Sequence, residues 1–181
     1  MKLKYTLLLT LFLSLGFITS CDDDDDDKIE YTATYPLSGD WTVTYSIETS
    51  PGQFEPLAEN SELLIYNTAA NTPTEIWVDD HGNFWNFKVR ANADISALTF
   101  NAQNSVSAAL RRNSEGALVP YDIEVNIAEG QVFKNAATVN GIQRDSIYFQ
   151  VSFEDDEDAN EDPDPFGTIY HVYGHRSTGF E

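Results

Sequence analysis

Beyond residue 34, most of the chain alternates apolar and polar positions with a period of two. The clearest example is residues 41–48, Trp-Thr-Val-Thr-Tyr-Ser-Ile-Glu, in which every second residue is apolar. A β-strand points successive side chains to opposite faces, so this pattern predicts a strand with one buried and one solvated face. The same alternation recurs in residues 121–127 and 146–153.

Shorter segments of the same type are predicted as further strands. They are residues 62–67, 74–79, 84–90, 97–102, 134–139 and 168–173. Turn sequences rich in Gly, Asn, Asp and Pro separate them, and only residues 105–112 have a pattern compatible with a helical turn. We therefore predict an all-β fold, an up-and-down antiparallel barrel of about eight strands, because a closed meander leaves no exposed edge.

The alternation also predicts which side chains point into the barrel. An apolar and aromatic interior suits an acyl chain or another apolar ligand. The alternative is that the same side chains simply fill a small barrel, and the sequence leaves both readings open. Five aromatic residues are the candidate wall residues of a ligand site: Tyr45, Trp85, Phe87, Tyr121 and Phe149.

The amino terminus has the three zones of a secretory signal. Lys2 and Lys4 are followed by an apolar run over residues 6–17 and by small residues before Cys21. The run is too short to remain in a bilayer as a spanning helix. The order Ile-Thr-Ser-Cys at residues 18–21 resembles the bacterial lipobox, which implies cleavage before Cys21 and acylation of that residue, the one cysteine of the chain.

This resemblance and the strand pattern together give the predicted domain organisation. Residues 1–20 are a lipoprotein signal peptide, residues 21–34 an acylated cysteine with a flexible acidic tether, and residues 35–181 the barrel. The six aspartates of residues 22–27 must stay solvated and act at least as a spacer. Acidic residues directly after an acylated cysteine also resemble the surface-export signal of Bacteroidetes lipoproteins, which implies the outer face of the outer membrane.

The charge balance limits the possible partners. Ten Lys and Arg residues stand against 30 Asp and Glu residues, a formal net charge of −20. Such a chain repels phosphate backbones, so nucleic acid is excluded as a partner. The expected partners are a lipid or apolar small molecule and the membrane reached through the lipid anchor, and no pattern indicates an oligomeric state.

The first and last strands of the predicted barrel carry a resemblance to a known pattern. Gly39-Asp40-Trp41 opens the first long strand and Arg176 lies near the end of the last. This resembles the lipocalin-like pattern, which implies that Gly39 and Trp41 close the barrel floor while the Arg176 guanidinium lies across the indole.

A more extensive resemblance covers the whole predicted domain. Residues 170–180, Tyr-His-Val-Tyr-Gly-His-Arg-Ser-Thr-Gly-Phe, look like the closing strand of the Bacteroidetes family called lipid-binding putative hydrolases, which are lipoproteins with a lipocalin-like barrel. Residues 35–41 and the stretch from residue 66 to residue 88 fit the same family. The resemblance implies a lipid-type ligand, and the hydrolase activity in the family name stays an open question.

The sequence offers no motif for catalysis. It contains neither a Gly-x-Ser-x-Gly elbow nor a His-Glu-x-x-His pair. His171 and His175 share a face of the last predicted strand, but four strand residues separate them by roughly 13 Å, too far for one zinc ion. No catalytic residue, metal site or cofactor is therefore predicted, and a hydrolase ranks last among the hypotheses.

Other features leave further alternatives open. The acidic residues 154–164 could chelate calcium but lack the regular spacing of a calcium loop, so a mobile solvated loop is the default. Exposed aromatics such as Trp77 and Tyr148 would suit an accessory glycan-binding or assembly subunit of a surface nutrient-uptake system. Two basic pairs could face an anionic lipid head group or be ordinary surface charge: Lys88 with Arg90, and Arg111 with Arg112.

Overall fold

A computed structural model describes residues 30–156 and 166–179, and in them the chain forms ten β-strands. The strands are β1 (Gly39–Ser50), β2 (Gln53–Asn67), β3 (Glu75–Asp79), β4 (Lys88–Asp94), β5 (Thr99–Val106), β6 (Leu110–Arg112), β7 (Leu118–Pro120), β8 (Glu124–Val139), β9 (Ile142–Phe153) and β10 (Tyr170–Arg176). No helix in these residues has the length and hydrophobicity needed to cross a bilayer.

Eight of the strands close into an antiparallel barrel in the order β1-β10-β9-β8-β5-β4-β3-β2. Pairing of β1 with β10, from Trp41 opposite Arg176 to Ile47 opposite Tyr170, completes the ring. The predicted all-β, up-and-down barrel of about eight strands is thereby confirmed. Strands β6 and β7 pair only with each other, as a hairpin inserted between β5 and β8.

Three local predictions were wrong. Residues 105–112 contain no helical turn; they end β5 and form β6. The strand predicted over residues 84–90 begins only at Lys88, because Asn86 adopts a positive φ of 57° and interrupts the extended backbone. The segments at residues 121–127 and 134–139 are not two strands: β8 joins most of both in one 16-residue strand.

The hydrophobic core lies in the interior of the barrel. The alternation of β9 gives one continuous buried row from Ile147 to Phe153, while the residues between them face outward. Rings from different strands meet inside, such as Phe100 of β5 and Phe149 of β9, whose centroids lie 5.6 Å apart. Fully buried large side chains of this kind contribute about 1.5–3 kcal/mol each to folding.

The barrel has two distinct ends, called here the floor and the rim. At the floor β1 begins and β10 ends. At the rim β1 ends and β10 begins, and the rim also carries the loop of residues 80–87, the β6–β7 hairpin and the residues that follow β9. The predicted closing residues and most of the aromatic candidates therefore lie at different ends of the molecule.

Trp41 and Arg176 pack against each other at the floor. The Arg176 guanidinium carbon lies 4.4 Å from the centroid of the fully buried indole of Trp41. Its nitrogens donate to the carbonyl oxygens of Ser38 and Pro36. Gly39 has a φ of 150°, and a Cβ at this position would overlap the guanidinium. Glycine is required here because the arginine crosses directly over the backbone.

Candidate functional site

Five aromatic rings pack against one another at the rim of the barrel. The ring of Tyr45 stacks on Phe84 with centroids 4.4 Å apart, and Trp85 stacks on Phe153 at 4.6 Å with an interplanar angle of 2°. Tyr170 completes the group, 5.1 Å from Phe84 and 5.5 Å from Trp85. We call these five residues the rim cluster. Phe84 and Trp85 are half-buried, whereas the other three rings are buried.

Phe84 and Trp85 come from the loop of residues 80–87, which is built around the buried carboxylate of Asp80. One Asp80 oxygen accepts a 2.7 Å hydrogen bond from the Tyr45 hydroxyl. The other accepts the backbone N–H groups of Phe84, Trp85 and Asn86 at 2.9, 3.1 and 2.9 Å. The carboxylate therefore fixes the backbone that presents the two half-buried rings.

The electrostatics of Asp80 reflect its position. Burial raises the pKa of the Asp80 carboxyl, and the hydrogen bonds from the loop backbone and from Tyr45 oppose this shift. Burial, followed by the nearby Asp80 charge, raises the pKa of the Tyr45 hydroxyl well above its ordinary value. The tyrosine therefore stays protonated and acts as a donor to the carboxylate over the physiological pH range.

Polar groups surround the outer edge of the rim cluster. One oxygen of Asp155 accepts the indole N–H of Trp85 at 2.9 Å, and the other accepts the Tyr121 hydroxyl at 2.5 Å. Burial, then the hydrogen bond to Asp155, raises the pKa of Tyr121 to about 12. The guanidinium carbon of Arg111 lies 4.5 Å from the centroid of the Tyr121 ring. The rim thus offers donors and acceptors directly beside an apolar surface.

The five predicted wall residues fall into two groups. Tyr45, Phe87 and Phe149 are fully buried inside the barrel. Trp85 and Tyr121 are half-buried at the rim and lie on loops before β4 and β8, not on the strands from which they were expected to point inward. The structure thus brings Tyr45 and Trp85 together at the rim, with Tyr121 at its edge, and leaves Phe149 deep in the interior.

Asp80, Phe84 and Asp155 were missed by the sequence reasoning. Asp80 and Phe84 flank a polar turn that reads as solvent-exposed, and Asp155 belongs to a run of acidic residues. One signal could have indicated Asp80. Tyr45 is an inward-facing tyrosine on a strand, and a buried tyrosine hydroxyl normally needs a hydrogen-bond partner.

The other basic and aromatic candidates lie on the outer wall. Lys88 and Arg90 place their cations 5.2 and 5.0 Å from the Trp77 ring centroid, so the indole already has cationic partners there. Tyr148 is half-buried, and its hydroxyl lies 2.9 Å from Nδ1 of His171. Lys88 and Arg90 therefore do not face the mouth of the barrel, in contrast to Arg111 at the rim.

Two histidine contacts bear on hydrolytic chemistry. Nδ1 of His81 lies 3.3 Å from a Glu62 carboxylate oxygen at the exposed surface. His171 contacts the Tyr148 hydroxyl, and its ring packs against the edge of Phe54 at 4.8 Å. Neither contact pairs a histidine with a serine hydroxyl, which is the arrangement a serine nucleophile needs.

The remaining predictions concern parts of the chain outside the described residues. Cys21 and the tether precede residue 30, and most of the acidic stretch falls in residues 157–165. Asp156 is described, and it accepts a 2.8 Å hydrogen bond from the Tyr170 hydroxyl. Within residues 30–156 and 166–179, no group of three or more His, Cys, Asp or Glu side chains is arranged to hold a metal ion.

Comparison with known proteins gives one clear result. A family model described as lipid-binding putative hydrolase matches residues 26–181, which include the whole barrel. No curated protein matches the chain.

Proposed function

Because the chain belongs to the family of lipid-binding putative hydrolases, we propose that its barrel binds the apolar part of an amphiphilic lipid at the rim, against the rim cluster. The observation that carries the proposal is the position of this cluster, where five aromatic rings pack together at the end of the barrel opposite Trp41. A ligand that reaches these rings exchanges water for a largely apolar surface.

Phe84 and Trp85 are the rings that an entering chain meets first, since both are half-buried. The interior rings already contact one another, as Phe100 and Phe149 do. An acyl chain therefore lodges among the rim rings. The indole of Trp85 moves to admit it, while the four hydrogen bonds to Asp80 keep the loop backbone in place. A polar head group would remain outside, beside Tyr121, Arg111 and Asp155.

Quenching of tryptophan fluorescence by a dibrominated stearate tests this site, because bromine quenches only indoles that it approaches closely. The protein used is the chain of residues 21–181 with Cys21→Ser, so that no covalent acyl chain competes. Of the three tryptophans, Trp41 lies at the floor, Trp77 on the outer wall and Trp85 at the rim. Submicellar dibromostearate should quench the Trp85 emission and leave the other two nearly unchanged.

Two matched variants separate the outcomes. The Trp77→Phe protein should keep the quenching, whereas the Trp85→Phe protein should lose most of it. Lipid extracted from the same purified protein and examined by mass spectrometry should contain an amphiphile. Quenching that persists undiminished in Trp85→Phe, or no quenching and no extracted lipid at all, contradicts a ligand site at the rim.

The proposal also includes a membrane anchor. The lipobox-like residues 18–21 support acylation of Cys21, and the aspartates that follow support a tether on the cell surface. Several acyl chains would hold the protein firmly, since a single chain binds a membrane only marginally. Metabolic labelling with a radioactive fatty acid should mark the wild-type protein but not Cys21→Ser. Protease added to intact cells should degrade the barrel, and full protection of the barrel would contradict the surface location.

A further inference from the structure

The β6–β7 hairpin at the rim presents an apolar face to solvent. Its register pairs Leu110 with Pro120, Arg111 with Val119 and Arg112 with Leu118. Residues opposite each other in an antiparallel pair share a face, so Leu110, Leu118 and Arg112 lie on the same side. The two leucines are 54% and 59% exposed. Exposed leucines grouped on one face indicate a contact surface more often than isolated ones do.

The other face of the hairpin turns toward the barrel. Arg111 lies over the ring of Tyr121, and Val119 is half-buried. The Asn86 side-chain amide donates to the Leu110 carbonyl oxygen at 3.0 Å, which joins the hairpin to the loop that carries Trp85. The orientation of the apolar face is therefore fixed by contacts to the rim.

The turn of the hairpin is also well ordered by hydrogen bonds. The Asn113 side-chain oxygen accepts the backbone N–H groups of Glu115 and Ala117 at 3.0 and 2.9 Å. Arg112 donates one N–H to the Gly116 carbonyl oxygen at 2.8 Å. A guanidinium has five donors, so Arg112 can bind an anion without releasing the turn. The apolar face is thus preformed, which lowers the entropy lost on docking.

The charge of the hairpin differs from that of the chain. Residues 107–123 contain two arginines and two acidic residues, Glu115 and Asp122, so the insert is neutral in a protein that has three times as many acidic as basic residues. Leucines flanked by arginine are the composition of segments that lie in a membrane interface, where arginine meets lipid phosphate. A phospholipid surface complements both features of this face.

We propose that the outward face of the β6–β7 hairpin docks on the surface of a phospholipid bilayer. Leu110 and Leu118 enter the boundary between head groups and acyl chains, and Arg112 contacts lipid phosphate. Docking brings the rim cluster against the membrane, so that an acyl chain can pass between bilayer and barrel without crossing bulk water. Only this consequence rests on the proposed function; the docking itself does not require an internal ligand.

Vesicle co-sedimentation tests the docking. The protein is again the chain of residues 21–181 with Cys21→Ser, mixed with vesicles of phosphatidylcholine and phosphatidylglycerol. Leu110→Ser together with Leu118→Ser should weaken vesicle binding by at least about tenfold, because both apolar contacts are lost. Arg112→Gln should weaken it by about fivefold, in line with one arginine near an anionic surface.

The control is Ile142→Ser, which changes an apolar side chain of the same exposure, 53%, at the floor end of β9. Its vesicle binding should equal that of the parent protein. Absence of binding by the parent protein, or equal weakening by Ile142→Ser, overturns the proposal. Unchanged vesicle binding in the double serine variant, combined with loss of a co-purifying protein, also overturns it by showing that the face docks on a protein.

The vesicle experiment and the quenching experiment fail independently. Dibromostearate quenching is measured without vesicles, so quenching retained by the double serine variant alongside lost sedimentation supports docking as a separate property. If dibromostearate does not quench the wild-type protein but Trp85→Phe still sediments with vesicles, the ligand site at the rim is contradicted. The docking surface would then still be supported.

Discussion

Replacement of Asp80 by alanine should be the most destabilising single change at the rim. The carboxylate accepts four hydrogen bonds, from the Tyr45 hydroxyl and from the backbone of residues 84–86. Each buried donor left without an acceptor costs about 1–3 kcal/mol. The three backbone donors are only partly buried and can reach water if the loop opens. We therefore expect Asp80→Ala to lower the free energy of unfolding by about 3–5 kcal/mol, less than the sum of four losses.

A double-mutant cycle isolates the contact with the tyrosine. Tyr45→Phe removes the hydroxyl but leaves Asp80 with its backbone donors, so a loss of about 1.5–3 kcal/mol is expected for a bond to a charged acceptor. The double variant should be less destabilised than the sum of the two single variants by at least about 1 kcal/mol, because the partners contact each other. Urea unfolding followed by tryptophan fluorescence measures all three values. Additive effects, or a loss below about 1 kcal/mol in Asp80→Ala, would refute the role assigned to the carboxylate.

The same carboxyl group should give the protein a defined pH dependence. Because burial raises the pKa of Asp80 in the folded state, the unfolded chain releases this proton first as the pH rises. The free energy of unfolding of the wild type minus that of Asp80→Asn should therefore fall as the pH increases from the unfolded carboxyl pKa of about 3.9 through the folded value. A difference that instead grows over this range would mean that the hydrogen bonds outweigh burial.

Two further predictions concern the floor. Burial alone would raise the pKa of Asp145, but the hydrogen bond from Lys134 and the charge of Arg176 help to lower it. Asp145→Asn should therefore lower the free energy of unfolding by about 1–2 kcal/mol at neutral pH. That cost should shrink as the pH falls through the folded pKa, and urea titrations at several pH values would show it. Gly39→Ala should lower the free energy of unfolding by more than about 1 kcal/mol. The control is Gly116→Ala, which should cost less because Gly116 also has a positive φ but has open space around it. Equal shifts of the melting temperature in the two variants would exclude a clash with Arg176.

The barrel could be predicted from the sequence because its strands have one solvated and one buried face. Period-two alternation is a local property, and residues 41–48 and 146–153 show it without interruption. The small barrel then follows from strand count and short connections. Resemblance to the lipocalin-like pattern added the pairing of Trp41 with Arg176, two residues that alternation alone does not connect.

The rim could not be predicted in the same way. Trp85 fits the alternation with Phe87, but Asn86 between them adopts a left-handed conformation that periodicity does not reveal. Asp80 lies in a polar turn, and its carboxylate is buried in contact with the hydroxyl of Tyr45, 35 residues earlier in the chain. Burial of this kind depends on tertiary contacts between distant segments, which the local pattern does not contain.

The hairpin was missed for a different reason. Its outward face exposes Leu110 and Leu118, so it lacks the contrast between buried and solvated positions that identified the other strands. Because its apolar side faces solvent, the spacing of apolar residues in this strand pair does not identify a buried face, and the segment was predicted as a helical turn. The residues that the pattern misplaced are thus the ones now proposed to meet a membrane.

Since β5 pairs directly with β8, the wall is complete without the 17 residues between them, from residue 107 to residue 123. Within this insert Ser107 and Ile123 are buried and belong to the barrel, whereas the hairpin from Leu110 to Pro120 is exposed apart from the half-buried Val119. Exchange of residues 111–119 alone would therefore change the recognition surface and keep every strand pairing of the ring.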